Sequence, residues 1–140
     1  MNSVWGALND VDGTRNQVNG KRNKVNGVNN GVWGDSNKVS GHSNNVDGYN
    51  NRVHGKGNEV DGSCNLVKGA INDVTGTNNQ VSGAHNIIYG IQNSVNGLKN
   101  QVNGLGNQVH GKTNCVNGAG NTVKGSGNTV QSSYEGYGRW

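Results

Sequence analysis

The stretch NQVNGLGNQVHG, residues 100–111, contains one pattern twice: Asn, a variable residue, Val, a variable residue and Gly, followed by two further variable residues. This seven-residue pattern runs through most of the 140-residue chain. Over nineteen units, Asn holds its place at positions 2–128, Val at positions 4–130 with Ile88 as the exception, and Gly at positions 6–125. Such a repeat predicts one elongated domain in which each unit contacts its neighbours.

The repeats divide the chain into two segments. Residues 1–132 contain the nineteen regular units, and residues 133–140 form a degenerate unit in which Tyr137 takes the Val position. Because the end of a solenoid lacks a neighbour on one side, we expect residues 133–140 to be a cap or a joint to another copy.

A period of seven is typical of coiled coils, but two features exclude that fold. A coiled coil requires two apolar residues in each heptad, whereas only Val is constant here. A Gly in every heptad disfavours helix by about 1 kcal/mol per residue. Disorder is suggested by the mean hydropathy of −0.80, but disorder would not keep Asn at nineteen successive positions.

A β-strand explains the spacing. Asn, Val and Gly alternate with variable residues, so in an extended segment all three point to one face. The Gly and the next two residues can then turn the chain, because Gly tolerates a positive φ. We therefore predict an all-β parallel β-solenoid with a Val core and buried Asn ladders, since buried polar groups must be paired. The predicted core and ladder residues at mid-chain are Asn65, Asn72, Asn79, Val67, Val74 and Val81.

The outward charges favour two heptads in each coil over three. With 14 residues per coil, one face carries Asp47, Glu59, Asp61 and Asp73 and no Lys or Arg. The other face carries most of the cations, which are Lys24, Lys38, Arg52, Lys68 and Lys124, beside Asp10 and Asp12. With 21 residues per coil every face is mixed in sign or nearly so. We therefore expect a flattened, two-sided roll of about ten coils, each rising roughly 4.7 to 4.8 Å.

The xxNxVxG repeat resembles that of the ice-recrystallisation-inhibition (antifreeze) proteins of grasses. The resemblance covers almost the whole chain, and the unit GSGNTV at residues 125–130 is especially similar. It implies a flattened β-roll with two heptads per coil and an ice surface as the binding partner. In that family, small Thr or Ser residues flank Val on one side.

No catalytic or metal-binding constellation is visible. His54 and His110 share an outward column but stand four coils apart, roughly 19 Å, so each is expected to be a lone surface residue. Cys64 and Cys115 are about three and a half coils apart, beyond the ~7 Å Cα separation that a disulfide tolerates, and are expected to be free thiols. We predict no enzyme activity, no metal and no cofactor.

The sequence also predicts no nucleic-acid partner and no membrane partner. The net charge is +4, and Arg15, Lys21, Arg22 and Lys24 cluster near one end. This cluster is interpreted as a solvated corner, and no aromatic RNA-binding motif accompanies it. Residues 1–20 contain no apolar run, so a cytoplasmic location is expected, or an extracellular one if the chain is a trimmed mature form.

Two functions remain. Self-assembly is predicted first, because an unpaired β-edge is a template for another copy and a head-to-tail contact that does not close builds a filament. The partner would be the protein itself, with lateral packing of acidic on basic faces as an addition. Ice binding is the alternative function. It is ranked second because the Thr residues that would form an ice-binding row, Thr75, Thr122 and Thr129, do not line up. The predicted assembly ends are Val4, Trp5, Val130, Tyr134, Tyr137 and Trp140.

Overall fold

The structure, a computed structural model, describes residues 1–84 and 86–131, with the side chain of Tyr89 left out. These residues form nineteen short β-strands, one for each repeat. The odd-numbered strands are β1 (Ser3–Ala7), β3 (Gln17–Lys21), β5 (Gly31–Asp35), β7 (Asn45–Tyr49), β9 (Glu59–Ser63), β11 (Asp73–Thr77), β13 (Ile87–Ile91), β15 (Gln101–Asn103), β17 (Cys115–Asn117) and β19 (Thr129–Gln131). The even-numbered strands are β2 (Asp10–Thr14), β4 (Lys24–Val28), β6 (Lys38–His42), β8 (Arg52–Lys56), β10 (Leu66–Ala70), β12 (Gln80–Ala84), β14 (Ser94–Asn96), β16 (Gln108–Lys112) and β18 (Thr122–Ser126).

The strands form two parallel sheets that face each other. The ten odd strands make one sheet and the nine even strands make the other, each in sequence order. Every pairing joins residues fourteen apart, as in Val4 with Val18 and Val67 with Val81. This confirms the predicted β-solenoid with fourteen residues per coil. The described residues make nine complete coils and one further strand, whereas the expectation of about ten coils had included residues 133–140.

A single file of β-branched side chains from each sheet fills the space between the sheets. Val67, Val74 and Val81 are all buried, and Ile88 takes the same place without disturbing the file. The buried core runs from Val18 to Val123, and Val11 and Val130 pack against its two ends. The core is only one side chain wide on each sheet, so polar contacts must supply much of the remaining stability.

The Asn side chains supply those contacts by joining each coil to the next. The Oδ1 of Asn72 accepts the main-chain N–H of Asn86 at 3.3 Å, and its Nδ2 donates to the carbonyl oxygen of Gly83 at 3.3 Å. Asn79 repeats the arrangement toward Asn93 and Gly90. The predicted amide-to-amide bonds are present as well, such as Asn72 Nδ2 to Asn58 Oδ1 at 2.9 Å. Among the described residues no buried side-chain nitrogen or oxygen lacks a partner.

The corners of the coil require two left-handed residues in each repeat. The repeat Gly is one, with φ values such as +147° at Gly55. The other is the residue immediately before Asn, with φ near +60° whether it is Gly57, Leu8, Ile71 or Thr113. Because a positive φ is costly for residues that carry a Cβ, and most of all for β-branched ones, the second position is a built-in strain in many coils.

No helix among the described residues is long and apolar enough to cross a membrane.

Candidate functional site

The surfaces available for binding are the two flat outer faces of the roll. In each strand the residue before the core Val and the residue after it point outward, so each face carries two columns of side chains. We call the face of the odd strands the odd face and the other the even face. Neighbours in a column are one coil apart, about 4.8 Å, and the two columns lie about 6.6 Å apart.

The odd face carries an acidic patch, defined as Asp47, Glu59, Asp61 and Asp73. Asp47 stands directly opposite Asp61 across β7 and β9, and Glu59 directly opposite Asp73 across β9 and β11. Like charges in such cross-strand positions repel each other and lower stability. Stability alone therefore does not account for the placement of these carboxylates.

The even face carries a basic patch, defined as Lys24, Lys38, Arg52 and Lys68. Lys24, Lys38 and Arg52 follow one another in a single column, and Lys68 lies in the other column beside His54. Lys24 is also paired with Asp10 at 2.6 Å, and this hydrogen bond, with the attraction between the charges, raises the pKa of Lys24 above 10.5. The predicted separation of charge between the faces is thus present in the structure.

Between Asp73 and Gln131 the described outward side chains of the odd face carry no charge. On the last four odd strands they are Ile87, Gln101, Asn103, Cys115, Asn117, Thr129 and Gln131. Gln101, Asn103, Cys115 and Asn117 line a shallow trough whose floor is the core residue Val116. We call these described outward side chains of β13, β15, β17 and β19 the neutral surface. It is regularly spaced, uncharged and mostly polar.

The even face of the same coils is less uniform in charge. Its outward residues are Gln80, Ser82, Ser94, Asn96, Gln108, His110, Thr122 and Lys124. Lys124 places an ammonium group beside His110 at one end of this array. The two faces therefore differ in charge even in the carboxyl-terminal half.

The predicted assembly ends are in part described. Val4 is 45 % exposed and Trp5 is 53 % exposed, whereas Val18, the partner of Val4 in the next coil, is fully buried. Val130 is half-buried at the other end of the core. Tyr134, Tyr137 and Trp140 lie outside the described residues, so their predicted role as a cap or joint stays a prediction.

The His and Cys side chains of the described residues lie apart from one another. No group of three or more His, Cys, Asp or Glu residues that could hold a metal ion occurs within residues 1–84 and 86–131. Cys64 and Cys115 are free thiols, the first exposed at a corner and the second half-buried on the odd face. His54 and His110 lie on β8 and β16, four strands apart in the even sheet, and His85 lies outside the described residues.

Sequence reasoning missed one local arrangement on the odd face. The indole of Trp33 lies across Gly31 of its own strand, where a Cβ would come within 2.6 Å of the ring. The sequence contained an indication of this contact, because Gly31 is the one glycine that occupies the position before Val in the nineteen repeats.

Comparisons with known proteins agree with this geometry at the level of the family. The family model described as the grass antifreeze beta roll matches residues 54–135, which is more than half of the chain. No curated protein sequence matches the chain. Among solved structures, the alignment with the polySia specific acetyltransferase NeuO covers 86 % of this chain and 81 % of that chain at 14 % identity. Its TM-score of 0.27 is too low to indicate a shared fold. The chain, with its parallel roll and Asn ladders, belongs to the grass antifreeze beta-roll family.

Proposed function

We propose that this protein is a non-enzymatic ice-binding protein and that the neutral surface contacts the ice. The main observation behind the proposal is that the family match and the uncharged part of the odd face lie in the same region of the chain. The family match covers residues 54–135, and within that region the described outward side chains of the odd face carry no charge after Asp73. Self-assembly was the first prediction from the sequence alone. Membership of the family favours ice binding instead.

The physical argument rests on how ice differs from other ligands. Water molecules in ice occupy a fixed lattice, so a binding surface must be rigid, flat and periodic. The two columns of the neutral surface meet this requirement because their spacing follows from the β-ladder, about 4.8 Å along the axis and about 6.6 Å across it. The trough between Asn103 and Asn117 on one side and Gln101 and Cys115 on the other can hold a file of water molecules that these groups hydrogen-bond.

The distribution of charge favours the neutral surface over the other outer surfaces as the ice contact. A carboxylate or ammonium group binds water tightly around itself, and removing that water is costly. The acidic and basic patches are therefore poor contacts for a lattice of neutral water molecules. The neutral surface avoids this cost, and the even face at the same level avoids it less well because of Lys124.

The chain offers a matched pair of variants for the test. Asn117 on the odd face and Asn96 on the even face are both exposed and both directly follow a buried Val on a three-residue strand. We expect Asn117→Lys to abolish most inhibition of ice recrystallisation and incorporation into growing ice, while Asn96→Lys retains both. Circular dichroism checks that both variants keep the roll. An equal loss in both variants, or a folded wild type without ice activity, contradicts the proposal.

Self-association is a second candidate, favoured by the exposed end of the core. Val4 leaves nearly half of its side chain in solvent, and within the described residues β1 pairs only with β3. Because the Ser3 N–H already donates to the carbonyl oxygen of Asn16, the residue just before β3, the Val4 N–H points to the free edge. A second copy docked there would extend the Val core and the Asn ladders. We expect Val4→Pro to block such growth, measured by sedimentation and electron microscopy; a wild type that stays monomeric at high concentration contradicts this candidate.

A further inference from the structure

Two of the three tryptophans lie in one outward column of the odd face, near its amino-terminal end. Trp5 pairs with Asn19 across β1 and β3, and Asn19 pairs with Trp33 across β3 and β5. The two tryptophan positions are therefore two coils apart, roughly 9.5 Å along the axis. Trp5 is 53 % exposed and Trp33 is half-buried.

The indole of Trp33 lies against Gly31 of its own strand. A Cβ built on Gly31 would lie 2.6 Å from Cζ3 and 2.8 Å from Cη2 of Trp33, so the six-membered ring of the indole occupies the space that a side chain at position 31 would need. Gly31 has an ordinary φ, so its backbone conformation does not require glycine. The missing side chain at Gly31 leaves room for the ring, and Trp33 remains half-buried, so part of the indole is open to solvent.

The surroundings of the two indoles are polar and lack cations. Ser3, Gln17, Asn19 and Asn45 occupy the neighbouring outward positions, and Asp47 follows Trp33 in the column. Glu59 and Asp61 lie on the next strand. No Lys or Arg occupies an outward position of the odd face in residues 1–84. The surface thus combines flat aromatic rings with amide and carboxylate hydrogen-bonding groups.

We propose that this surface, defined as Trp5, Asn19, Trp33 and Asp47, binds an extended, neutral polysaccharide built of β-linked hexopyranose rings. A pyranose ring with equatorial hydroxyls presents a flat C–H face that packs on an indole, while its hydroxyls point outward around the edge. An extended chain lying along the solenoid axis places about one sugar ring on each coil. Alternate rings then stack on Trp5 and Trp33, and the ring between them meets the amide of Asn19.

Charge selects this ligand over an anionic polymer. Asp47, Glu59 and Asp61 would repel the phosphates of a nucleic acid or the carboxylates of an acidic polysaccharide. A protein that binds such polymers places Lys and Arg along their path, and the odd face has none there. Neutral hydroxyls instead accept hydrogen bonds from the amides and donate them to the carboxylates.

The test uses the intact protein with cellohexaose as the soluble probe, followed by tryptophan fluorescence and calorimetry. We expect saturable binding by the wild type, weakened about tenfold by Trp33→Ala, since tenfold corresponds to about 1.4 kcal/mol and the loss of one aromatic stacking contact is of that order. Gly31→Ala keeps the indole but lifts it from the sheet, so it should weaken binding as well. Tyr49→Ala removes another exposed aromatic residue, at a corner, and should leave the affinity unchanged.

Several outcomes would overturn the proposal. These are no binding of cellohexaose by the folded wild type, unchanged affinity in both Trp33→Ala and Gly31→Ala, or equal binding of carboxymethyl cellulose at the same salt concentration. The test is independent of the proposed ice contact, because the neutral surface begins at β13 and Trp33 lies on β5. Trp33→Ala should therefore keep its ice activity, and a loss of both activities would also count against the proposal.

Discussion

A side chain at Gly55 would overlap the carbonyl oxygen of Gly69, the equivalent residue of the next coil. The same overlap occurs at Gly104 with Gly118 and at most other repeat glycines. The coils approach each other so closely at this corner that no Cβ fits between them. The repeat Gly is therefore required by contact between coils in addition to its positive φ.

Gly55→Ala should be far more destabilising than Gly57→Ala. Both glycines have positive φ values, so both changes carry a backbone cost of about 1–2 kcal/mol. A Cβ at Gly57 makes only an ordinary contact with Ile71 at 3.8 Å, whereas one at Gly55 forces two coils apart, at a further cost of about 1–3 kcal/mol or more. Urea unfolding followed by circular dichroism measures the difference. Equal midpoints for the two variants would show that the close stacking is not required.

Asn72→Ala should lower the free energy of unfolding by about 1–3 kcal/mol, because it leaves buried backbone groups without partners. The main-chain N–H of Asn86 and the carbonyl oxygen of Gly83 both lose a hydrogen bond. Asn45→Ala is the control, since Asn45 is exposed on the odd face, and it should change stability by no more than about 0.5 kcal/mol. If several mid-chain ladder variants, including Asn65→Ala and Asn79→Ala, kept the wild-type melting temperature, the ladder would not be a stabilising element.

Ile71→Asn should stabilise the protein by about 1 kcal/mol, because Asn tolerates the left-handed region that a β-branched residue does not. Ile71 has a φ of +60° and is 55 % exposed, so the change removes strain and sacrifices little burial. The matched control is Ile91→Asn, at a corner position with ordinary φ and 46 % exposure. Thermal unfolding of the two variants should separate strain from the loss of apolar surface; a rise in both, or in neither, would contradict the strain at Ile71.

Lateral association of the acidic patch with the basic patch of a second copy should depend on salt. The two patches carry opposite charge on opposite faces, so each copy retains a free face after docking and growth stays open. We expect the sedimentation mass to rise above 14.7 kDa near 0.01 M salt and to return to it near 1 M, where the Debye length falls from about 30 Å to about 3 Å. Neutralising the acidic patch with Asp47→Asn, Glu59→Gln, Asp61→Asn and Asp73→Asn should abolish the rise.

The control for this association changes charge elsewhere. Lys99→Gln and Lys112→Gln lie at exposed corners outside both patches and should leave the salt response intact. A second test mixes a variant whose acidic patch is changed to Lys with a variant whose basic patch is changed to Glu. Each alone should be monomeric and the mixture should associate. A mixture that stays monomeric while the wild type associates would mean that other surfaces make the contact.

Much of the fold could be predicted from the sequence because its determinants are local and periodic. Asn, Val and Gly at alternate positions specify a strand, its inward face and its turn, and the charges at residues such as Asp47 and Lys38 indicated two strands per coil. The same periodicity predicted that Asn65, Asn72 and Asn79 would be buried and paired. These properties need only the period of a β-strand and the requirement that buried polar groups find partners.

The tertiary structure decided what depends on the distance between coils. The sequence predicted bonds between Asn side chains, but only the stacked backbones place the Asn86 N–H at Asn72 Oδ1 and the Gly83 carbonyl at its Nδ2. The left-handed conformation of Ile71 arises from the corner at which the chain turns, and the overlap of a Gly55 side chain with Gly69 arises from the close stacking of the coils. The resting place of Trp33 on Gly31 depends on a side-chain rotamer. The hydrogen bonds of Asn72 and the overlap of Gly55 with Gly69 join neighbouring coils, so the repeat pattern alone does not specify them: such contacts form only once the chain has closed into stacked coils.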